Sequence, residues 1–92
     1  MIVTTTDSVE GRPVKSYLAI VSGEAFLLDD SSDGASEKED ALLGAREKAI
    51  GKMTQRAEKL GANAVVGVSV DVEIQSAMKY FVTVAGTAVV LP

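Results

Sequence analysis

The most regular stretch of the chain alternates. Ala64, Val66, Val68, Val70, Val72 and Ile74 share one parity, and Ser69, Asp71, Glu73 and Gln75 share the other. A period of two puts one side of a β-strand on a core and the other in solvent or an interface. After a loose turn at Ser76 to Met78, the segment Lys79 to Leu91 is apolar on both parities, with Tyr80, Val82, Val84 and Val90 against Phe81, Ala85 and Val89. Such a strand is expected at the centre of its sheet or buried by association. Val14 to Leu28 is also apolar on both parities, with Val14, Leu18 and Ile20 against Tyr17, Ala19 and Val21. It predicts a strand covered by its own helix on one side and by a neighbouring subunit on the other. Ser22-Gly23-Glu24 interrupts it, as a bulge or a close backbone approach. Ile2 to Thr6 is β-branched throughout and reads as a short first strand.

Between these strands the period changes. Leu42, Ala45, Ala49, Met53, Ala57 and Leu60 recur at steps of three or four, the stripe of an amphipathic helix. Ser36-Glu37-Lys38-Glu39 is a capping box ahead of it. Asp40 adds charge where the helix dipole favours it, and Gly61 stands at the expected C′ position. A helix from Ser36 to Leu60 would be about 36 Å long. Gly44 and Gly51 each cost about 1 kcal/mol inside it, and mark either close packing or a later start near Gly44. The order is β-β-α-β-β. It predicts one α+β domain over residues 1–92, an antiparallel sheet packed on one long helix, with the last two strands as a hairpin beneath it.

Composition changes this picture in three ways. First, 92 residues with two Phe, two Tyr and no Trp bury only roughly 60–65% of the unfolded surface, so association would stabilise the fold. Second, the chain has no Cys and no His. Disulfides, thiolate nucleophiles, zinc fingers and Ser-His-Asp machinery are therefore excluded, and the expectation is a non-enzymatic protein without a cofactor. Third, the formal charge is −4 and the bases are interleaved with acids, which argues against nucleic acid as a partner. The first residues carry no basic, apolar leader, and no apolar run approaches the ~20 residues of a membrane span. No membrane partner and a cytoplasmic location are expected.

Several groups of polar residues are candidate sites. Asp29, Ser31, Asp33 and Gly34 fall at positions 1, 3, 5 and 6 of a calcium-type loop, with Glu37 at 9 and Asp40 at 12. Alternating oxygens and a glycine suit a hard cation. However, position 12 is Asp instead of Glu and no helix precedes the loop, so the plainer alternative is a solvated acidic connection. Asp71 and Glu73 lie two residues apart on a polar strand face, as paired carboxylates or as a salt-bridged surface. Arg12 and Lys15 flank Pro13 and could gather an anion at a ring axis, or simply be surface charge.

Blocks spread along the chain resemble the YbjQ-like family, which carries a heavy-metal-binding label. They are Thr4-Thr5-Thr6, Val9-Glu10-Gly11-Arg12-Pro13-Val14, Tyr17-Leu18, Ile20 to Ala25, Leu60 to Val68 and Gly86 to Leu91. The resemblance implies a two-layer domain of YbjQ-like or dodecin-subunit-like type, assembled into a ring, typically a homopentamer, with N-terminal strands joining neighbours. It also makes Ser22, Gly23 and Glu24 the best candidates for a site, with Glu24 as general base or hard-cation ligand and Gly23 allowing a ligand to approach. With Asp71, Glu24 could alternatively serve a weak carboxylate enzyme at a subunit boundary. Two departures stand out. Ala19 replaces a usual Gly, and the longer Ile-Arg-Asp and Gly-Gly-Arg-Ser segment ahead of the helix gives way to the acidic loop from Asp29 to Gly34. The heavy-metal label finds no thiolate or imidazole here.

Overall fold

A computed structural model describes residues 1–28, 35–76 and 79–92. Four strands and one helix follow in the order β1 (Ile2–Val3), β2 (Ser16–Leu28), α1 (Ala35–Lys59), β3 (Ala64–Ser76) and β4 (Lys79–Val90). The α+β class and the β-β-α-β-β order are as expected. The sheet is mixed instead of purely antiparallel. Its order is β1-β3-β4-β2, and β1 runs parallel to β3. The first strand is only two residues long, because Thr4 and Thr6 spend their backbone groups on a bend. Their carbonyls accept from the amides of Val68 and Gly67 at 3.0 and 2.8 Å.

β4 is central, between β3 and β2, one of the two placements that its doubly apolar pattern allows. β2 is instead an edge strand. It runs without interruption through Ser22-Gly23-Glu24, and its irregularity falls earlier, between Tyr17 and Ala19. The helix is a single piece that starts one residue before the expected cap. It ends in a Schellman motif, with the amide of Ala62 donating to the carbonyl of Ala57 and that of Gly61 to Glu58. Gly61 takes a φ of 89° to allow it. Gly44 and Gly51 face open space, so neither marks packing within the protomer.

The sheet has two cores. Under the helix, Ala45, Ala49, Met53 and Ala57 pack on Val21, Ala25, Val82 and Val84. Alanines at the contact let the helix lie close, and each buried Val or Met contributes roughly 1.5–3 kcal/mol. Leu60, the last residue of the expected stripe, is half exposed. On the opposite face a smaller cluster gathers Ala64, Val66, Val89 and Leu91 beneath Ile2, Val9 and Val14. Asn63 ties this end together. Its Nδ2 donates to the Leu91 carbonyl at 2.8 Å, and its Oδ1 accepts from the Leu91 amide at 2.7 Å.

The two clusters reveal a break in the parity of β3. Ala64 and Val66 belong to one face, Val65 and Val68 to the other. Between them Gly67 adopts a φ of 62°, and Gly67 and Val68 together oppose Gly86. This is a bulge with glycine in the left-handed region. It carries Val70, Val72 and Ile74 to the helix side, opposite Val84, Val82 and Tyr80. The expected single stripe from Ala64 to Ile74 is thus two half-stripes on opposite faces.

Candidate functional site

β2 presents Gly23 inward and Ser22 and Glu24 outward. A Cβ on Gly23 would collide with the carbonyl oxygen of Ala49 and stand 2.8 Å from the amide nitrogen of Met53. The close approach expected at this glycine is therefore made by the protein's own helix. The same contact seats α1 on the edge strand, where it packs more extensively than on β4 or β3.

Glu24 is engaged by a residue that the sequence pattern left unassigned. Arg56 Nη1 donates to Glu24 Oε2 at 2.9 Å and to the carbonyl of Ser22 at 2.8 Å, while Nη2 donates to Glu24 Oε1 at 3.0 Å. The guanidinium thus holds the carboxylate in a fork and covers one carbonyl of the strand. Those hydrogen bonds keep the Glu24 carboxyl below its ordinary value of 4.5, with Lys52 adding a smaller push in the same direction. The same bonds raise Arg56. A carboxylate so held is ionised at neutral pH and is a weak general base, since that role needs a raised pKa. No spacing rule could have found Arg56, 32 positions from its partner. Only the seating of the helix on β2 brings the two together.

Ser22, Glu24 and Asp71 share the open face. In register, Glu24 lies beside Thr83 and Thr83 beside Asp71, which puts Glu24 and Asp71 two strand spacings apart, about 10 Å. Asp71 and Glu73 are exposed. At the far end of this face Phe26 stacks on Phe81 with ring centroids 4.6 Å apart, and Lys79 Nζ sits 4.7 Å above Phe26. Arg12 serves a local purpose, its Nε and Nη2 donating to the carbonyl of Pro92 at 3.2 and 2.8 Å. Lys15 is exposed. Of the calcium-type set, Asp29, Ser31 and Asp33 lie outside the described residues, and Asp40 is exposed on α1. Among the described residues no three carboxylates converge as a metal cluster would.

On the opposite side, the placement of α1 over β2 leaves a groove of about 320 Å³ beside β3, lined by Leu42, Leu43, Arg46, Val70 and Val72. Leu43, Val72 and, beyond the groove, Ile74 are 45, 49 and 68% exposed. On β2, Ile20 is 83% exposed. Isolated apolar residues at a surface are ordinary, whereas Val70, Val72 and Ile74 form a contiguous exposed row on one strand.

A family model for YbjQ-type proteins, described as "Putative heavy-metal-binding", matches residues 1–92. The chain belongs to this family. A relative named "UPF0145 protein" from Clostridium botulinum is 41% identical over 103 residues, covering 97% of this chain and 97% of that one. Relatives of the same name from Listeria monocytogenes, serotype 4a and serovar 1/2a, are 43% identical over 105 residues, covering 99% and 96%. These alignments are longer than the 92-residue chain, so the YbjQ-like relatives carry residues without a counterpart here. A crystal structure from Pediococcus pentosaceus, titled as a protein with unknown function of the DUF74 family, superposes with a TM-score of 0.78 at 20% identity, covering 100% of this chain and 98% of that one. It shows that the fold is shared. No described helix is long and apolar enough to cross a membrane.

Proposed function

We propose that this YbjQ-like chain is a subunit of a ring-forming homo-oligomer, a homopentamer, that acts in the cytoplasm as a binding or scaffold protein and not as an enzyme. The observation that carries this reading is the bare helix-side face of β3. Val70, Val72 and Ile74 point to the side where a helix belongs, yet the protomer's own helix is seated elsewhere. The molecule is also drawn out, at 49 × 21 × 16 Å with a radius of gyration of 15.1 Å, against about 12 Å for a compact domain of this length. A thin slab of this kind leaves part of each sheet face uncovered and gains most from neighbours. The candidate carboxylates support binding over catalysis. Glu24 is held ionised by Arg56, and Asp71 stands on an open strand face. The family's heavy-metal description has no thiolate or imidazole to rest on in a chain without Cys or His.

Light scattering coupled to gel filtration at micromolar concentration tests the proposal. The expected mass is five times that of the chain. A monomer across that range removes the reading.

A further inference from the structure

We propose that the open face of the sheet, around the stacked Phe26–Phe81 pair, binds a linear polyamine, an unbranched methylene chain carrying ammonium groups at intervals. This gives the binding half of the reading above a ligand class, and it does not depend on the ring.

The register places the site. Phe26 on β2, Phe81 on β4 and Glu73 on β3 stand opposite one another and form one row across three strands. The next row is Glu24, Thr83 and Asp71. Both rows lie on the face away from α1, because Ala25 and Val82, adjacent in sequence, are in the core beneath the helix. The N-terminal segment covers this face only at its other end, where Ile2, Val9 and Val14 pack on the smaller cluster. Phe26 is left 56% exposed.

Charge selects the sign of the ligand. Among the described residues, Asp71 and Glu73 are exposed and carry no ion pair, whereas Glu24 is already held by Arg56. The net charge of −4 on the whole chain adds a long-range pull on cations.

Spacing selects its shape. Asp71 and Glu73 are two residues apart on one strand, about 6.7 Å. The nitrogens of an extended four-carbon diamine are separated by nearly the same distance. A single metal ion needs several oxygens within about 2.6 Å of one point, and among the described residues no three carboxylates converge. Two charges joined by a short chain fit this strand better than one ion.

The aromatic pair selects the alkylammonium. Lys79 Nζ sits 4.7 Å above the Phe26 ring, whose partner Phe81 is stacked at 4.6 Å, within the roughly 6 Å range of a cation–π contact. An ammonium on a methylene stem thus already rests on this surface, tethered to the chain. A polyamine would place one ammonium over Phe26 in competition with Lys79. Its methylenes would cross Phe81, and further ammonium groups would meet Glu73 and Asp71.

Spermidine is the probe, titrated at low ionic strength and followed by calorimetry and amide NMR, with magnesium at matched ionic strength as the control. The expected result is saturable binding that shifts the amides of Phe26, Asp71, Glu73 and Phe81. Asp71→Asn combined with Glu73→Gln should weaken it about tenfold, and Phe26→Leu about threefold. Lys79→Gln should tighten it by roughly two- to fivefold, since the competing ammonium is gone. A gain of that kind cannot come from misfolding. No binding to the parent overturns the proposal. So does a response that magnesium reproduces and that neither Phe26→Leu nor Lys79→Gln alters, which is counterion attraction alone. Light scattering on the same samples separates the two readings: a ring that takes no spermidine removes this site, and a monomer that binds it removes the ring.

Discussion

Gly23 shows how one missing side chain places a whole helix. Its backbone lies so near Ala49 and Met53 that a methyl group would collide with main-chain atoms, which cannot rotate aside. Gly23→Ala therefore has to lift α1 from β2. The expected cost is about 3 kcal/mol, the upper end of the overpacking range, read as a lower urea midpoint at fixed protein concentration. An unchanged midpoint would show that the helix is not seated so tightly. The neighbouring Glu24 makes a prediction with a sign. Its carboxyl is held below 4.5 in the fold by Arg56. A depressed pKa contributes stability that is present above the unfolded value and is lost as pH falls through the folded one. The melting-temperature gap between the parent and Glu24→Gln should thus be constant from neutral pH down to about pH 5 and shrink below pH 4.5. A gap that widens on acidification contradicts the pairing.

At the scale of elements, β3 carries the lesson about reading sequence. Alternation from Ala64 to Ile74 was correctly legible as a strand, and the doubly apolar Lys79 to Leu91 as the central one. The faces were not legible, because a period of two is silent about a bulge that adds one residue. The only trace is Gly67 itself, which sits in a left-handed conformation that other residues resist. In the same way the glycine of Ser22-Gly23-Glu24 signalled close approach, but not that the approaching group is the protein's own helix. Arg56 left no signal, since its partner lies on another element. The bulge is testable through Gly67→Val. A β-branched residue at positive φ costs about 2 kcal/mol, and the relief available to the strand is to lose the bulge. Losing it would swing Val70, Val72 and Ile74 to the open face. The expected outcome is a drop in melting temperature larger than that of Gly67→Ala. Equal drops would show that backbone strain alone is felt and that register is secured elsewhere.

For the whole molecule, the decisive quantity is the apolar surface that the fold presents without covering. The helix follows β2 because Gly23 and the alanines of its stripe make that the closest seat, and the cost of that choice falls on β3. Val72 stands in the middle of the bare row, half exposed, between Val70 and Ile74. An aspartate there leaves the protomer's own cores intact, since neither includes Val72. In an assembly it places a carboxylate in the middle of the apolar helix-side row, on the face opposite Asp71 and Glu73, where a neighbouring copy would have to cover it. Forgoing one apolar burial and desolvating a carboxylate weakens each contact by at least about 3 kcal/mol, two decades in Kd. Val72→Asp is therefore expected to elute as a monomer at concentrations where the parent is a ring, with its helical circular dichroism unchanged, while Val72→Ile retains the ring mass. A Val72→Asp protein that still assembles fully would place the contacts between copies on some other face, with the apolar row of β3 left open to water.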